Sequence, residues 1–336
     1  KEVGLMGADY IYATACIRAE ECKLLTGEKL RAMTESKNID DICKVLQDAG
    51  YGTESDPLTP ANYAQVVKNT EAEIFQNVKT LSKENEIFSI FSFPADYHNI
   101  KVLLKAEALG VNRNDILMAT GTVPAEEMIR AVTERDMTEL TENMAAAIEE
   151  AAETHARTKD PQVIDFICDR FCYMDICRVA EKAGNEFVSE YVRLLIDTVN
   201  LKTFARIRKM GQPWSYLESV FVPGGNVDLQ VFTSAYEEDY KQASSRFEAY
   251  KIYRAVSEGG EEIDEKGSFT KLEKLCDDIL IEQVREARGI TFGIEPLVAF
   301  LISRQMEIKC IRILMTGKLA GMDPQIIRER MRETYE

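Results

Sequence analysis

Histidine is scarce in this sequence. There are two, His98 and His155, so a catalytic triad that needs an imidazole base has little to draw on. Ala95 and Ala152 stand three residues before them, and the Glu-x-x-His metal pair of di-iron helical bundles is therefore missing. No Gly-x-x-x-x-Gly-Lys-Ser/Thr run occurs. Met315-Thr-Gly-Lys-Leu319 has the Gly-Lys pair without the upstream glycine or the hydroxyl residue of a phosphate loop, and Gly-x-Gly-x-x-Gly is lacking too. These absences point away from a His-based triad, a phosphate-loop or dinucleotide site and a metal site. No apolar run reaches about 18 residues, so no membrane-crossing helix is expected, and the first residues lack the basic-then-apolar layout of a secretory signal. Positive charge is in deficit: the net charge is -16, which disfavours nucleic acid and a flat approach to anionic lipid. Alternating strands are also missing; Ile87 to Phe93 and Ser219 to Val222 are the only doubtful pieces.

What the chain has instead is a repeat. Asp96-Tyr-His-Asn-Ile-Lys101 is closed by Gly110, Asp197-Thr-Val-Asn-Leu-Lys202 by Gly211, and Glu307-Ile-Lys-Cys-Ile-Arg312 by Gly321. An acid is followed by Asn or Cys at +3, Ile or Leu at +4, Lys or Arg at +5 and Gly at +14. On a helix the acid, the +3 and the +4 residues share one side. Ile100, Leu103, Leu104 and Leu109 continue an apolar stripe in the first copy. Leu201, Phe204, Ala205 and Ile207 do so in the second, and Ile311, Leu314, Met315 and Leu319 in the third. Glycine at +14 suits a left-handed residue ending a helix. Two readings stand: an acid and an amide tied to neighbouring backbone at a helix crossing, or charged contacts for a partner.

With 45% hydrophobic and 29% charged residues, the composition is that of an ordinary folded domain. Helices are expected over 9–25, 28–33, 39–49, 61–81 and 86–92, then from Pro94 to 109. The second unit opens at Pro124-Ala-Glu-Glu, with helix to about 157 broken near Asp136, then 161–182 and 186–210. The third opens near Val227, runs helically to about 256, and continues as 268–287, 294–319 and a short helix from Pro324. Ser257 to Gly267 reads as a mobile acidic loop. The fold class is all-α: three related helical bundles, 1–116, 117–223 and 224–336.

The eight cysteines are scattered through helical stretches and read as reduced thiols of a cytosolic protein. Cys168 and Cys172, a helical turn apart with Cys177 beyond, lack a fourth ligand nearby. Asp277-Asp278 lacks the spacing of prenyl-diphosphate enzymes. Arg206, Arg208 and Lys209, near Lys202, form a basic cluster in an acidic chain, with Arg328, Arg330 and Arg332 at the tail. They are candidates for contact with acidic partners or for compensation of the helix dipole.

Tyr10-Ile-Tyr-Ala-Thr-Ala-Cys-Ile-Arg18 with Glu21 and Leu24-Leu25, Asp96 to Lys105, Tyr191 to Lys202, and Glu307 to Leu314 together resemble the C-subunit family of the archaeal- and bacterial-type V/A-ATPases, which includes the d-subunit of eukaryotic vacuolar ATPases. Cys310 in place of Asn, and Cys16 in place of a polar residue, depart from that pattern. The resemblance implies a funnel-shaped protein of three similar domains about an approximate threefold axis. It implies a protein on the cytoplasmic side, peripheral to the membrane, that catalyses nothing and binds no nucleotide, cofactor or metal. There the protein would seat the central shaft (the D and F subunits) on the ring of ion-carrying subunits and transmit torque for proton or sodium transport. Asp96, Asn99, Lys101, Asp197, Asn200, Lys202, Glu307 and Arg312 are its repeat-motif polar residues, and Arg206, Arg208 and Lys209 its candidate partner contacts. The alternatives are a generic three-repeat scaffold and an all-α enzyme whose carboxylates converge in one cleft with displaced pKa values.

Overall fold

A computed structural model describes residues 10–336, and they are all-helical with no strand among them. Sixteen α-helices follow one another within the described residues: α1 Ile11–Glu21, α2 Gly27–Glu35, α3 Ile39–Asp48, α4 Tyr63–Leu81, α5 Ser89–Leu109, α6 Ala125–Glu134, α7 Glu142–Thr158 and α8 Gln162–Ala183. Then come α9 Glu186–Lys209, α10 Trp214–Val220, α11 Leu229–Ser234, α12 Tyr240–Ala243, α13 Gly260–Lys266, α14 Thr270–Arg285, α15 Glu295–Leu319 and α16 Pro324–Arg330. The three motif copies lie on α5, α9 and α15. Each of these helices ends on its +14 glycine in the left-handed region, at φ 65° for Gly110, 67° for Gly211 and 65° for Gly321. All three ends make the same pair of backbone bonds. Gly110 N–H donates to Glu107 O and Val111 N–H to Ala106 O; Gly211 and Gln212 reach Arg208 O and Ile207 O; Gly321 and Met322 reach Lys318 O and Gly317 O. A side chain at those glycines would be strained, which is why the sequence position is so regular.

The chain forms two compact units, one of residues up to 84 with 238–336, the other of 85–237. In the first, α15 packs on α4, α14 and α1. Its face of Ile308, Ile311, Leu314 and Met315 enters a core with Leu30, Met33, Ile42, Leu46, Tyr51, Val66 and Val67. Each fully buried aliphatic side chain there contributes about 1.5–3 kcal/mol. In the second unit α8 is the central helix, with α5, α7 and α9 against it. Lys101–Asp169 and Lys105–Asp165, at 2.5 and 2.6 Å, show that α5 and α8 run antiparallel. Arg312–Glu71 at 2.8 Å and Tyr63 Oη to Thr316 Oγ1 at 3.2 Å give α15 the same sense on α4.

Several expectations need correction. The first helix covers Ile11–Glu21; position 9 lies outside the described residues. Ile87 to Phe93 is a 3₁₀ turn running into α5, and Pro94 sits inside that helix instead of before it. Only the Ile90 carbonyl loses its intrahelical N–H partner there. Ser219 to Val222 closes α10 without pairing. The stretch from Val227 to 256 is not one helix but short pieces joined by turns. Ser257 to Gly267 is no loose loop: a π-helical turn, Ala255–Gly259, leads directly into α13. Its glycines are packing residues, because a Cβ at Gly259 would overlap Leu272 and one at Gly260 would overlap the Tyr240 ring. Low hydrophobicity suggests solvent there; close contact with a neighbour fills the space instead.

Candidate functional site: three carboxylate clips

The acid of each motif is buried and holds the backbone that leads into a helix. Asp96 Oδ2 accepts from Thr122 N–H (2.9 Å) and Thr122 Oγ1 (2.7 Å), while Oδ1 accepts from Val123 N–H (3.1 Å). Asp197 Oδ1 accepts from Val227 N–H at 2.9 Å. Glu307 Oε2 accepts from Leu25 N–H, and its Oε1 takes Tyr51 Oη (2.6 Å) and Arg304 Nη1 (2.5 Å). Val123, Val227 and Leu25 each stand two residues before a helix start, at Ala125, Leu229 and Gly27. The first two clips therefore hold the segment after their own helix. The third, on α15, reaches back to the beginning of the described chain. The acidic partners of the +5 bases keep the same register: Asp169 lies 46 positions after Val123, and Glu71 lies 46 after Leu25.

The +3 amide does a second job. Asn99 Nδ2 donates to Met118 O, and Asn99 Oδ1 accepts from Met118 N–H, both at 2.8 Å. Asn200 makes the same pair with Val222, at 2.8 and 2.9 Å. In the third copy the equivalent stretch ahead of Leu25 is α1, whose backbone is already hydrogen-bonded within the helix. A buried amide there would find no free N–H and C=O pair in that helix, and an unmade hydrogen bond costs about 1–3 kcal/mol, so the small Cys310 fits. Its thiol lies 3.9 Å from the Arg332 carbonyl, and burial pushes its pKa up to about 11.

Burial also raises both aspartates, against the backbone N–H groups that favour the charged form. Asp96 moves upward against Thr122 and Val123, and Asp197 reaches about 6 against Val227 and Asn226. Displaced carboxyls are what an enzyme site would show, but these are 0% and 1% exposed. Beside Glu307 the gap measures about 10 Å³, the size of one water.

Residues that sequence reasoning missed complete the clips. Gly121 and Gly225 each stand two residues before the clipped N–H, and a Cβ at either would overlap the Oδ1 of Asp96 or Asp197. The shared Gly-x-Val after both aspartates is a readable signal. Tyr51 and Arg304 carry none. Asp175 is fully buried and takes Thr141 Oγ1 (2.6 Å), Tyr97 Oη (2.8 Å) and Asn143 Nδ2 (2.9 Å), tying α5 and α7 to α8.

Other candidates fall elsewhere. Lys101 and Arg312 form the α5–α8 and α15–α4 pairs; Lys202 is half-buried with no ion pair among the described residues. Arg206 and Lys209 are exposed, whereas Arg208 is half-buried with its guanidinium 5.1 Å from the Phe204 ring. Arg332 faces inward, donating to Asp277 at 2.8 Å, while Glu333 N–H donates to Asp278 at 2.8 Å. The Asp-Asp pair thus fastens the C-terminal tail. Burial pushes the Cys168 thiol up to about 12 and raises Cys172, the reverse of what a metal ligand needs. No group of three or more His, Cys, Asp or Glu among the described residues is placed to hold a metal, and no described helix is long and apolar enough to cross a membrane.

The profile of the ATP synthase (C/AC39) subunit family matches residues 13–330. The C-subunit of the V-type sodium ATPase of Enterococcus hirae is 26% identical, over 98% of this chain and 99% of its own. The C-subunit of the A-type ATP synthase of Methanocaldococcus jannaschii is 21% identical, over 96% and 86%. Its namesake from Thermococcus kodakarensis is 22% identical, over 95% and 89%.

Proposed function

Because this chain belongs to the ATP synthase (C/AC39) subunit family, whose members are non-catalytic parts of rotary ATPases, we propose that it is the socket of the rotor. In this reading it joins the central shaft, made of the D and F subunits, to the membrane ring of ion-carrying subunits. It lies peripherally on the cytoplasmic side and passes torque between ATP chemistry and ion movement. Three bundles, 1–116, 117–223 and 224–336, in a funnel about an approximate threefold axis, belong to the same proposal.

The observation that carries it is the recurrence of the clip. Torque transmission asks for a body that does not shear, and catalysis asks for an accessible group. Here every motif carboxylate is engaged inside the fold and holds a backbone N–H two residues ahead of a helix start. Such buried, satisfied polar contacts fix helix positions and leave no open chemistry. The polar motif residues Asp96, Asn99, Asp197, Asn200 and Glu307 serve stiffness, and partner contact falls to other side chains.

The test is assembly. Purified chain is mixed with the D–F shaft pair and, separately, with the detergent-solubilised ring, and complexes are resolved by size. The reading expects a stable complex with each and a ternary complex with both. A chain that binds neither overturns it.

A further inference from the structure

We propose that residues 331–336 are a releasable strap: they come away from α14 and α15 as one piece while the helices stay folded, and their departure opens the Glu307 clip to water. The proposal is independent of the rotor reading. α16 ends at Arg330, and the residues after it are neither helix nor strand. Met331 N–H still closes that helix on the Arg328 carbonyl, at 3.1 Å. From there on, side chains provide the hold. Arg332 Nε donates to Asp277 Oδ2 and Glu333 N–H to Asp278 Oδ1, both at 2.8 Å, and Arg285 Nε donates to the Thr334 carbonyl at 3.0 Å. The Arg288 guanidinium lies 5.2 Å from the Tyr335 ring centroid, and Glu336 Oε2 accepts from Gly27 N–H at 3.3 Å.

The strap covers the third clip. Glu333, Thr334 and Tyr335 wall the gap of about 10 Å³ beside Glu307 and Cys310, and the Arg332 carbonyl lies 3.9 Å from Cys310 Sγ, leaving that thiol 1% exposed. On its other face, Met331 to Thr334 line a cavity of about 630 Å³. The strap therefore has packed protein on one side and open space on the other. The acid pair that holds it survives its departure. Asp277 also pairs with Lys309 Nζ, and Asp278 with Lys274 Nζ, both at 2.5 Å. When Arg332 and Glu333 leave, each buried carboxylate keeps a cation of the helical body. No buried charge is left alone, which is the event that makes a buried pair costly to break. Met331 and Tyr335 are the strap's buried apolar anchors. A segment with so few of them opens at a lower free energy than the whole fold.

Thiol labelling reads the opening. The full chain is treated with a maleimide at several urea concentrations below the unfolding transition, and the labelled cysteines are identified by mass spectrometry. Exposed Cys22 sets the unprotected rate. Cys43, on α3 in the same core as Cys310 and 4% exposed, reports unfolding of the unit. The proposal expects Cys310 of the wild type to label at a rate that scarcely changes with urea. Cys43 labelling, which needs a larger surface to open, should climb steeply. Arg332→Ala removes a hydrogen bond between charged groups and should speed Cys310 labelling at least about tenfold, with Cys43 unchanged. A chain ending at Met331 should label Cys310 at close to the Cys22 rate and keep its helical circular dichroism. If Cys310 and Cys43 react together with one urea dependence, the strap leaves only when the unit unfolds, and the proposal fails. It fails too if Arg332→Ala leaves Cys310 labelling at the wild-type rate, or if the chain ending at Met331 does not fold.

Discussion

The clips of the two compact units solve one problem with different chemistry. In the second unit Asp96 and Asp197 each work with an asparagine and a glycine, holding an extended connection by two sets of backbone bonds. In the first unit Glu307 works with Arg304 and Tyr51, and no asparagine takes part. The difference follows from what is clipped. A connecting loop offers free N–H and C=O groups for an amide to pair with. The segment before Leu25 is a helix with none to spare, so the third clip gains its hold from a buried charge pair. No glycine stands in the third clip: Lys23 is found where Gly121 and Gly225 stand in the others.

The two designs differ most at Glu307. Glu307→Ala leaves the Arg304 guanidinium, 4% exposed, buried without its anion, together with the Leu25 N–H and the Tyr51 hydroxyl. A loss of about 3–5 kcal/mol is expected by urea denaturation. The Asp197→Ala loss, with uncharged donors of Val227 and Asn226 stranded, is expected at about 1–3 kcal/mol. Equal losses would mean that the charge pair adds nothing to the third clip.

Glycine separates the two designs next. Gly225→Ala and Gly121→Ala push a Cβ into the clipped carboxylate and should cost about 1–3 kcal/mol, whereas Lys23→Ala should be near neutral. Thermal unfolding of the three variants reads this directly. Exchanging the +3 residue tests the account of Cys310: Cys310→Asn is expected to destabilise by about 1–2 kcal/mol instead of restoring a better clip. A stabilised variant would show that a partner for the amide is present after all.

The smallest effect is in pH. The Asp197 carboxyl titrates near 6 in the fold and near 3.9 in an unfolded chain. Its folded pKa is raised, so the native state takes up a proton between those values. The stability it contributes is present at low pH and is lost as pH rises through 6. Wild type should therefore gain about 1 kcal/mol over Asp197→Asn on going from pH 7 to pH 5. A gap between the two proteins that stays constant would place the Asp197 carboxyl at its ordinary value.

Much of this is readable from residues alone. The +14 glycines announce three helix ends, the Asp-x-x-Asn spacing places acid and amide on one side, and capping signals set most helix bounds within about two or three residues. The partner of each clip is not readable. Nothing local to Glu307 points to Leu25 or Tyr51, since long-range contact leaves no spacing in the chain. Periodicity runs on to the helix end and so assigns Leu109 and Leu319 to the core; their exposure, 76% and 51%, depends on what the neighbouring helices fail to cover. The glycines at 259 and 260 read as flexible because composition does not distinguish a loose glycine from one pressed against a ring.

Coupling is the central claim, and ATP-driven ion transport in vesicles tests it most directly. The complex is reconstituted with wild-type chain, without the chain, and with a Glu307→Ala chain, and ATP hydrolysis and ion uptake are measured side by side. The account predicts that hydrolysis continues in all three, that uptake is abolished without the chain, and that it is reduced with the variant. Ion uptake that proceeds unchanged in the absence of the chain would contradict it.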